Sequence, residues 1–401
     1  MIKKERLFTP GPTALLPQAQ AALAAMTMHH RTAEFRHVMR STLDKLQAFL
    51  NTKNDVILLA SSGTGAMEAA VVNLLSPGER VLALSAGKFG ERWVKLAQTY
   101  GAVVETIQLP YGESFTGAEL KDRLVTSGAN RHAAVLVQAT ETSTGARHDI
   151  EAIARAVREA GSDALLIVDG ITGIGTGPLE IDTWGLDVVV GGSQKAFMIT
   201  PGLAFLCVSE RAWERMEASK TPRLYFDLRR ERKSQAAGET AWTPATALIA
   251  SLLAALDYID TIGGRAGLTA NAEFLSQVLR DATAAIGLKR FGGGIPAGAV
   301  TAIQAPEGMD SGVIVKGLKQ NFGSVVANGQ GEMKGKLFRI ASIGYYDFAE
   351  TVSLIAQLEL VLSQAGRLPA AELGKGVKVA QQLWLQRQTA ATGKPELVAT
   401  R

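Results

Sequence analysis

Short apolar runs and amphipathic helical stretches alternate along the chain from residue 55 to about residue 210. DVILLAS leads into a helical pattern from Gly65 to Leu75, RVLALSAG into one from Phe89 to Tyr100, and AAVLVQAT into one from Asp149 to Ala160. AVVETIQL, ALLIVDG, DVVVGGS and LAFLCVS complete the series. Runs that are apolar on both faces suit strands covered on both sides, and the helices between them supply the crossovers that parallel pairing requires. The pattern predicts an α/β domain built on a mostly parallel, doubly wound sheet of seven strands.

The rhythm stops at residues 210 to 243, where RLYFDLRRERKSQAAGETAWTP reads as a long polar surface segment that crosses to a partner or lines a mouth. From about residue 245 a long helix (ATALIASLLAALDYIDTIG, then GLTANAEFLSQVLRDATAAIG) leads to a strand around AGAVTAIQAP, a helix at SGVIVKGLKQNFG, a strand at LFRIAS and a helix after Phe348. This order predicts a compact α+β domain. The 401 residues exceed what one core serves well, and the expected division is an N-terminal arm (1–20), a large domain (21–245), a small domain (246–365) and a peripheral extension (366–401).

Composition narrows the function. The formal charge is +4, with Lys and Arg scattered among Asp and Glu, which suits small anionic substrates and not a nucleic acid. Cys207 is the single cysteine, so intrachain disulfides and cysteine-built metal sites are excluded and a reducing cytoplasm is expected. MIKKERLFTPGPTALLP turns to Pro and Gly before an apolar core develops, and every other apolar run is broken by charge or by Gly and Pro; no secretory signal and no membrane span are expected.

Candidate chemistry begins with VVVGGSQKAF, where an apolar strand delivers Lys195 onto a short turn. Strand ends at the carboxyl edge of such sheets are where ligands bind, and an amine there can form a Schiff base with a carbonyl compound. Taken alone, the same lysine reads as a solvated surface charge. Asp169 ends the LLIVD run, and a carboxylate directly after four apolar residues is costly unless paired; a protonated pyridine nitrogen is one partner, and capping of a following turn is the other reading. In SSGTGAMEAAVVNLL, Ser62, Gly63, Thr64 and Gly65 follow a strand and open a helix, an arrangement that favours a phosphate, although Gly-rich turns also serve packing. GITGIGTGP (170–178) has no helix behind it and is set aside. His29, His30 and His37 lack a completing ligand set, so no metal is expected.

Taken together, the ordered motifs TPGPT (9–13), HHRTAEF (29–35), SSGTGAMEAA, GKFGER (87–92), TETSTG (140–145), VDGITG (168–173), GGSQKAF (191–197), WTPAT (242–246) and LFRIASIG (337–344) resemble the class V aminotransferases, nearest the alanine–glyoxylate and serine–glyoxylate (serine–pyruvate) group. The resemblance spans about residues 7 to 362 and implies the fold-type I pyridoxal-phosphate architecture. It implies that Lys195 holds pyridoxal 5'-phosphate as a Schiff base, that Asp169 pairs with the ring nitrogen, and that Ser62, Gly63, Thr64 and Gln194 hold the phosphate. Phe89 would stack on the ring, in a position that is Trp in several relatives. Thr142, Ser143 or Thr144 would meet the ring hydroxyl region.

Further from the ring, the resemblance implies that Arg339 clamps the substrate carboxylate, with Gly11 and Ser143 beside it, and that Arg31 stands near the entrance. Thr243, with Thr240, would reach the phosphate of a neighbouring subunit, giving a homodimer with shared sites. The implied reaction is transamination from alanine or serine to a 2-oxo acid such as glyoxylate or pyruvate. An aspartate donor, supplied with a second cation by Arg31, Arg223 or Arg229, a lyase reaction, and an accessory subunit of the kind called a soluble hydrogenase subunit in similar cyanobacterial proteins are the alternatives.

Overall fold

The computed structural model describes residues 2–25, 28–125 and 131–392. Its main sheet consists of β1 (Asp55–Leu59), β2 (Arg80–Ser85), β3 (Val103–Gln108), β4 (Ala134–Gln138), β5 (Leu165–Asp169), β6 (Val188–Gly192) and β7 (Ala204–Val208). The spatial order is β1-β7-β6-β5-β4-β2-β3. Every neighbouring pair is parallel except those of β7, which runs antiparallel to both β1 and β6. The four strands β4 to β7 are buried along their whole length, which is why their sequences show no polar alternation. The edge strand β3 does alternate, with Val103 half exposed. The seven-stranded α/β sheet and the fold-type I architecture expected from the sequence are both present.

Five helices of this domain matter for the site: α1 (Pro17–Ala24), α2 (Ala33–Leu50), α3 (Gly63–Leu74), α4 (Lys88–Thr99) and α5 (Ile150–Glu159). Helix α3 buries Ala66, Met67, Ala69, Ala70, Val71 and Leu74, so it is apolar nearly all round and is enclosed by the domain. Helix α4 is amphipathic, with Trp93 and Ala97 turned inward.

Residues 210 to 243 are not one irregular surface stretch. They contain two helices, Glu210–Ala218 and Leu228–Ala236, and the second has a buried face. Its Gln235 side chain accepts a hydrogen bond from Leu58 N–H (2.9 Å) and donates one to the Leu58 carbonyl (2.7 Å). An amide thereby pairs with the outer edge of β1 as a further strand would, which protects that edge from other chains. A composition dominated by Arg, Glu and Lys hid this inward face.

The helical region after residue 245 is two helices, α6 (Thr246–Thr261) and α7 (Gly264–Ala285), bent by 78°. The bend falls at Gly263, whose φ of +93° suits glycine. Helix α6 packs on α1 and α2, while α7 faces the second sheet, β8 (Val300–Gln304), β9 (Ala327–Asn328) and β10 (Leu337–Ala341), ordered β8-β10-β9 and antiparallel. Helices α8 (Ser311–Phe322), α9 (Phe348–Gln364) and α10 (Lys375–Thr392) complete this part. Helix α10 lies on α7 and α9; Ala380 is fully buried, and Gly374 and Gly376 N–H donate to the buried Glu359 carboxylate (2.7 Å each). Among the described residues, no single helix is long and apolar enough to cross a membrane.

An N-terminal arm joins the two sheets. Arg6–Leu7 pair in parallel with Ser324–Val325, Phe8 O accepts from Ala341 N–H (3.0 Å), and Leu16 N–H donates to the Met198 carbonyl (2.9 Å). Residues 10 to 13 therefore cross the cleft above the end of β6.

Candidate active site

The carboxyl ends of β1, β2, β4, β5 and β6 open on one cleft, and each hands over to a turn carrying polar residues. Lys195 stands three residues beyond β6 and is 8% exposed. Its Nζ donates to the Pro10 carbonyl of the arm, and Thr13 Oγ1 donates to the Lys195 carbonyl (3.3 Å). Gly11 lies against the same amine: at φ +136°, a Cβ on it would stand 2.3 Å from Nζ. Burial lowers the Lys195 amine to about 8; Asp169 works against this, while Arg339 and Arg92 add to it.

Asp169, the last residue of β5, is 4% exposed. Burial raises its carboxyl to about 6, the Ile171 N–H bond at 2.8 Å draws it down, and the charge of Glu141 pushes it further up. That N–H is the one hydrogen bond its side chain accepts among the described residues. The lysine and the carboxylate thus share one dry region with little compensation from their own chain, an arrangement that marks functional sites.

The turn after β1 places Ser62 as the exposed first residue before α3, with extended backbone and no side-chain cap bond. The N–H groups of Gly63 and Thr64 lie in the first turn of α3 and have no acceptor among the described residues, which suits an anion. Gly63 packs against Ile171, whose side chain would have to move to admit a Cβ there. Gln194 faces this helix end: its buried Oε1 has no hydrogen-bond partner, and Gly192 beside it leaves room for it. Thr64 Oγ1 accepts from Arg92 Nη1 (3.1 Å), and the Arg92 guanidinium lies 4.7 Å from the centre of the Phe89 ring.

After β4 the chain makes the TETSTG turn, whose hub is Glu141, fully buried. Its Oε2 accepts from Phe89 N–H (3.0 Å) and Gly90 N–H (3.1 Å), and its Oε1 from Ser143 N–H (3.1 Å) and Ser143 Oγ (2.5 Å). Ser143 Oγ in turn accepts from Lys88 N–H (3.1 Å). Thr142 turns its hydroxyl to Thr172 (2.8 Å) and its carbonyl to Arg339 Nη1 (3.0 Å). Arg339, on β10 and 4% exposed, also donates from Nε and Nη2 to the Asn328 carbonyl (3.3 and 2.9 Å). Burial lowers its guanidinium to about 10, with Glu141 acting the other way, so it stays charged at neutral pH.

The cleft therefore brings together Gly11, Gly63, Thr64, Phe89, Thr142, Ser143, Asp169, Gln194, Lys195 and Arg339. Thr240 and Thr243 stand apart from it in their own chain. They line a separate cleft with Leu58, Leu203, Tyr225 and Trp242, where Thr240 Oγ1 donates to the Trp242 carbonyl (2.6 Å) and Thr243 is exposed. Arg31 is exposed as well. Arg223 points its guanidinium at the carbonyls of Val72, Thr221 and Met216, and Arg229 pairs with Asp227 and Glu217. Glu141 and Arg92 were not singled out from the sequence. Their signals were present, in an acid set between threonines directly after a buried strand and in an arginine one helical turn beyond Phe89.

The Aminotransferase class-V family matches residues 15–330. The chain belongs to the class V aminotransferases. A Paracoccus denitrificans protein named L-aspartate–glyoxylate aminotransferase is 34% identical over 397 residues, covering 98% of this chain and 100% of that one. A Synechococcus protein named "Soluble hydrogenase, small subunit" is 38% identical over 367 residues, covering 91% of this chain and 95% of that one. The crystal structure of an alanine–glyoxylate aminotransferase from Nostoc sp. superposes with a TM-score of 0.84 at 30% identity, covering 90% of this chain and 96% of that one. As a class V aminotransferase, the chain is an enzyme of the pyridoxal-phosphate-dependent kind.

Proposed function

We propose that this class V aminotransferase moves the amino group of a small L-amino acid, alanine or serine, to a 2-oxo acid, glyoxylate first and pyruvate second, with pyridoxal 5'-phosphate held covalently by Lys195. The observation that carries the reading is the buried Lys195–Asp169 pair, an amine lowered to about 8 beside a carboxyl with one hydrogen bond, at the mouth of a helix with free N–H groups. Those features fit the cofactor: the free amides of Gly63 and Thr64, with the Nε2 donor of Gln194, suit its phosphate, Asp169 suits its ring nitrogen, and Phe89 suits its ring face. When bound, it supplies an electron sink that weakens the Cα–H bond of the amino acid.

The rest is the work of the chain. Lys195 Nζ, uncharged in part near neutral pH because of its burial, takes the proton from Cα and would return it to the carbon on the far side of the amino nitrogen. Asp169 keeps the ring nitrogen charged. Arg339 spends one N–H from each nitrogen on backbone carbonyls, leaving one on Nη1 and one on Nη2 to grip a carboxylate in parallel. Arg92 lies at the phosphate end, on Thr64 and over Phe89, so Arg339 is the arginine left for the substrate, which favours a donor with a single carboxylate.

The name of the Paracoccus relative supports aspartate as a second reading. An aspartate donor would draw its second cation from outside this cleft. We also propose a homodimer in which Thr243, exposed in its own chain, faces the partner's cofactor phosphate, and a cytoplasmic setting in keeping with one buried cysteine.

The test is a half-reaction panel, in which protein loaded with pyridoxal phosphate is mixed with single L-amino acids while the visible absorbance is followed. Bleaching with alanine or serine, reversed by glyoxylate, is the expected result. Bleaching with aspartate alone selects the second reading, and no bleaching with any amino donor rejects transamination.

A further inference from the structure

A hydroxyl group has one proton to give, and the Ser143 hydroxyl gives it to Glu141 Oε1 (2.5 Å). Its oxygen already accepts one bond, from Lys88 N–H (3.1 Å), which leaves a lone pair and no proton for anything in the cleft. The same carboxylate takes Phe89 N–H and Gly90 N–H through its other oxygen. The first three amides of α4 thus all end on Glu141 or Ser143, so that helix end is closed to a ligand, and the Phe89 backbone is pinned from inside. Gly87 is fitted to this arrangement, because a Cβ there would stand 2.5 Å from Glu141 Cδ and 2.7 Å from Ser143 Oγ. The expectation that Ser143 meets the ring hydroxyl region acquires a direction.

We propose that Glu141 is a positioning residue for the cofactor end of the site: it fixes the Ser143 hydroxyl as a hydrogen-bond acceptor toward the cleft and holds Phe89 through the first turn of α4. The charges that act with Glu141 come from two other elements, Arg339 on β10 and Asp169 on β5; His148 lies behind it through Gln138 Nε2, which reaches Glu141 Oε2 (3.3 Å) and His148 Nε2 (3.1 Å). Burial pushes the Glu141 carboxyl up while the hydrogen bonds it accepts from Ser143, Gly90 and Phe89 draw it down; in its charged form it favours the protonated state of Asp169, of Arg339 and of a bound chromophore.

The inference rests on pyridoxal phosphate binding at Lys195, and the experiment separates the two. Cofactor-free wild type, Glu141→Gln, Ser143→Ala, the double variant and Ser276→Ala are titrated with pyridoxal phosphate, and the visible absorbance of each complex is followed against pH. Ser276 is a buried hydroxyl bound to the Ala297 carbonyl (2.8 Å) far from the cleft, and reports loss of stability alone. The expected result is about tenfold weaker binding for Glu141→Gln, the factor that corresponds to about 1.4 kcal/mol. The midpoint of its absorbance should fall by about half a pH unit, as loss of a negative charge requires. Ser143→Ala, which keeps the Glu141 charge, should lose affinity alike with its midpoint near that of wild type, and the double variant should bind about as weakly as either single variant, the mark of coupled residues. Should Glu141→Gln fail to fold, Ser143→Ala alone decides. Wild-type affinity in Ser143→Ala, or wild-type affinity and midpoint in Glu141→Gln, would reduce Glu141 to a structural residue like Ser276 and overturn the proposal. A wild type that never develops the absorbance would instead overturn the assignment of Lys195.

Discussion

At the scale of single residues, the site is governed by burial of charge. Asp169 has its carboxyl raised from 3.8 to about 6, so the cofactor-free folded chain binds a proton that the unfolded chain has lost across that window. Stability then falls as pH rises from about 4 to 6, by on the order of 3 kcal/mol for a shift of about two units. Asp169→Asn removes this loss. Its cofactor-free form should gain stability over wild type between pH 4 and pH 7 in urea unfolding, while its affinity for pyridoxal phosphate drops; parallel pH profiles for the two chains would show that Asp169 is solvated. Lys195 and Asp169 were legible because each closes an apolar strand. Glu141 was not, since nothing local says that its partners are the amides of a helix about 50 positions earlier. Thr142 was legible as a member of the turn and illegible in orientation, because its hydroxyl follows Thr172 from the next strand's turn.

At the scale of elements, hydrophobic period decided what could be read. Six of the seven strands of the main sheet coincide with unbroken apolar runs, since strands buried on both faces leave an unbroken signal, while the edge strand β3 is legible only through Val103, Val104 and Ile107. Helix Leu228–Ala236 escaped because its buried face is made of Leu228, Glu231 and Gln235, two of them polar and satisfied by backbone groups that only the folded chain provides. The bend between α6 and α7 was blurred by continuous helical composition on both sides of Gly263. The start of α3 carries its own prediction. Gly63 packs its Cα where a methyl group would press on Ile171 at 2.4 Å, and Ile171 N–H holds Asp169. Gly63→Ala should therefore displace the loop that links phosphate end to ring-nitrogen end, weakening pyridoxal phosphate binding about tenfold or more with little change in melting temperature. Equal cofactor affinity in the variant would remove the α3 turn from the phosphate site.

At the scale of the whole molecule, one chain holds most of a site, and Thr243, exposed at another cleft, belongs to the site by family resemblance alone. If two chains share sites, each complete site takes Lys195 from one chain and Thr243 from the other. Lys195→Ala and Thr243→Glu chains, each inactive as a homodimer, can then complement. In a hybrid, one site collects both defects and the other collects none. A symmetric dimer reassembled from equal parts is half hybrid, so about a quarter of wild-type activity should return on mixing and refolding together. Self-contained chains give a different count, since every site in the hybrid then keeps one defect and activity stays at the homodimer level. Measuring turnover and the amount of hybrid in the same preparation separates these cases. Recovery in proportion to hybrid content establishes the shared site and the role of Thr243 together; hybrid without recovery places the phosphate contacts within a single chain.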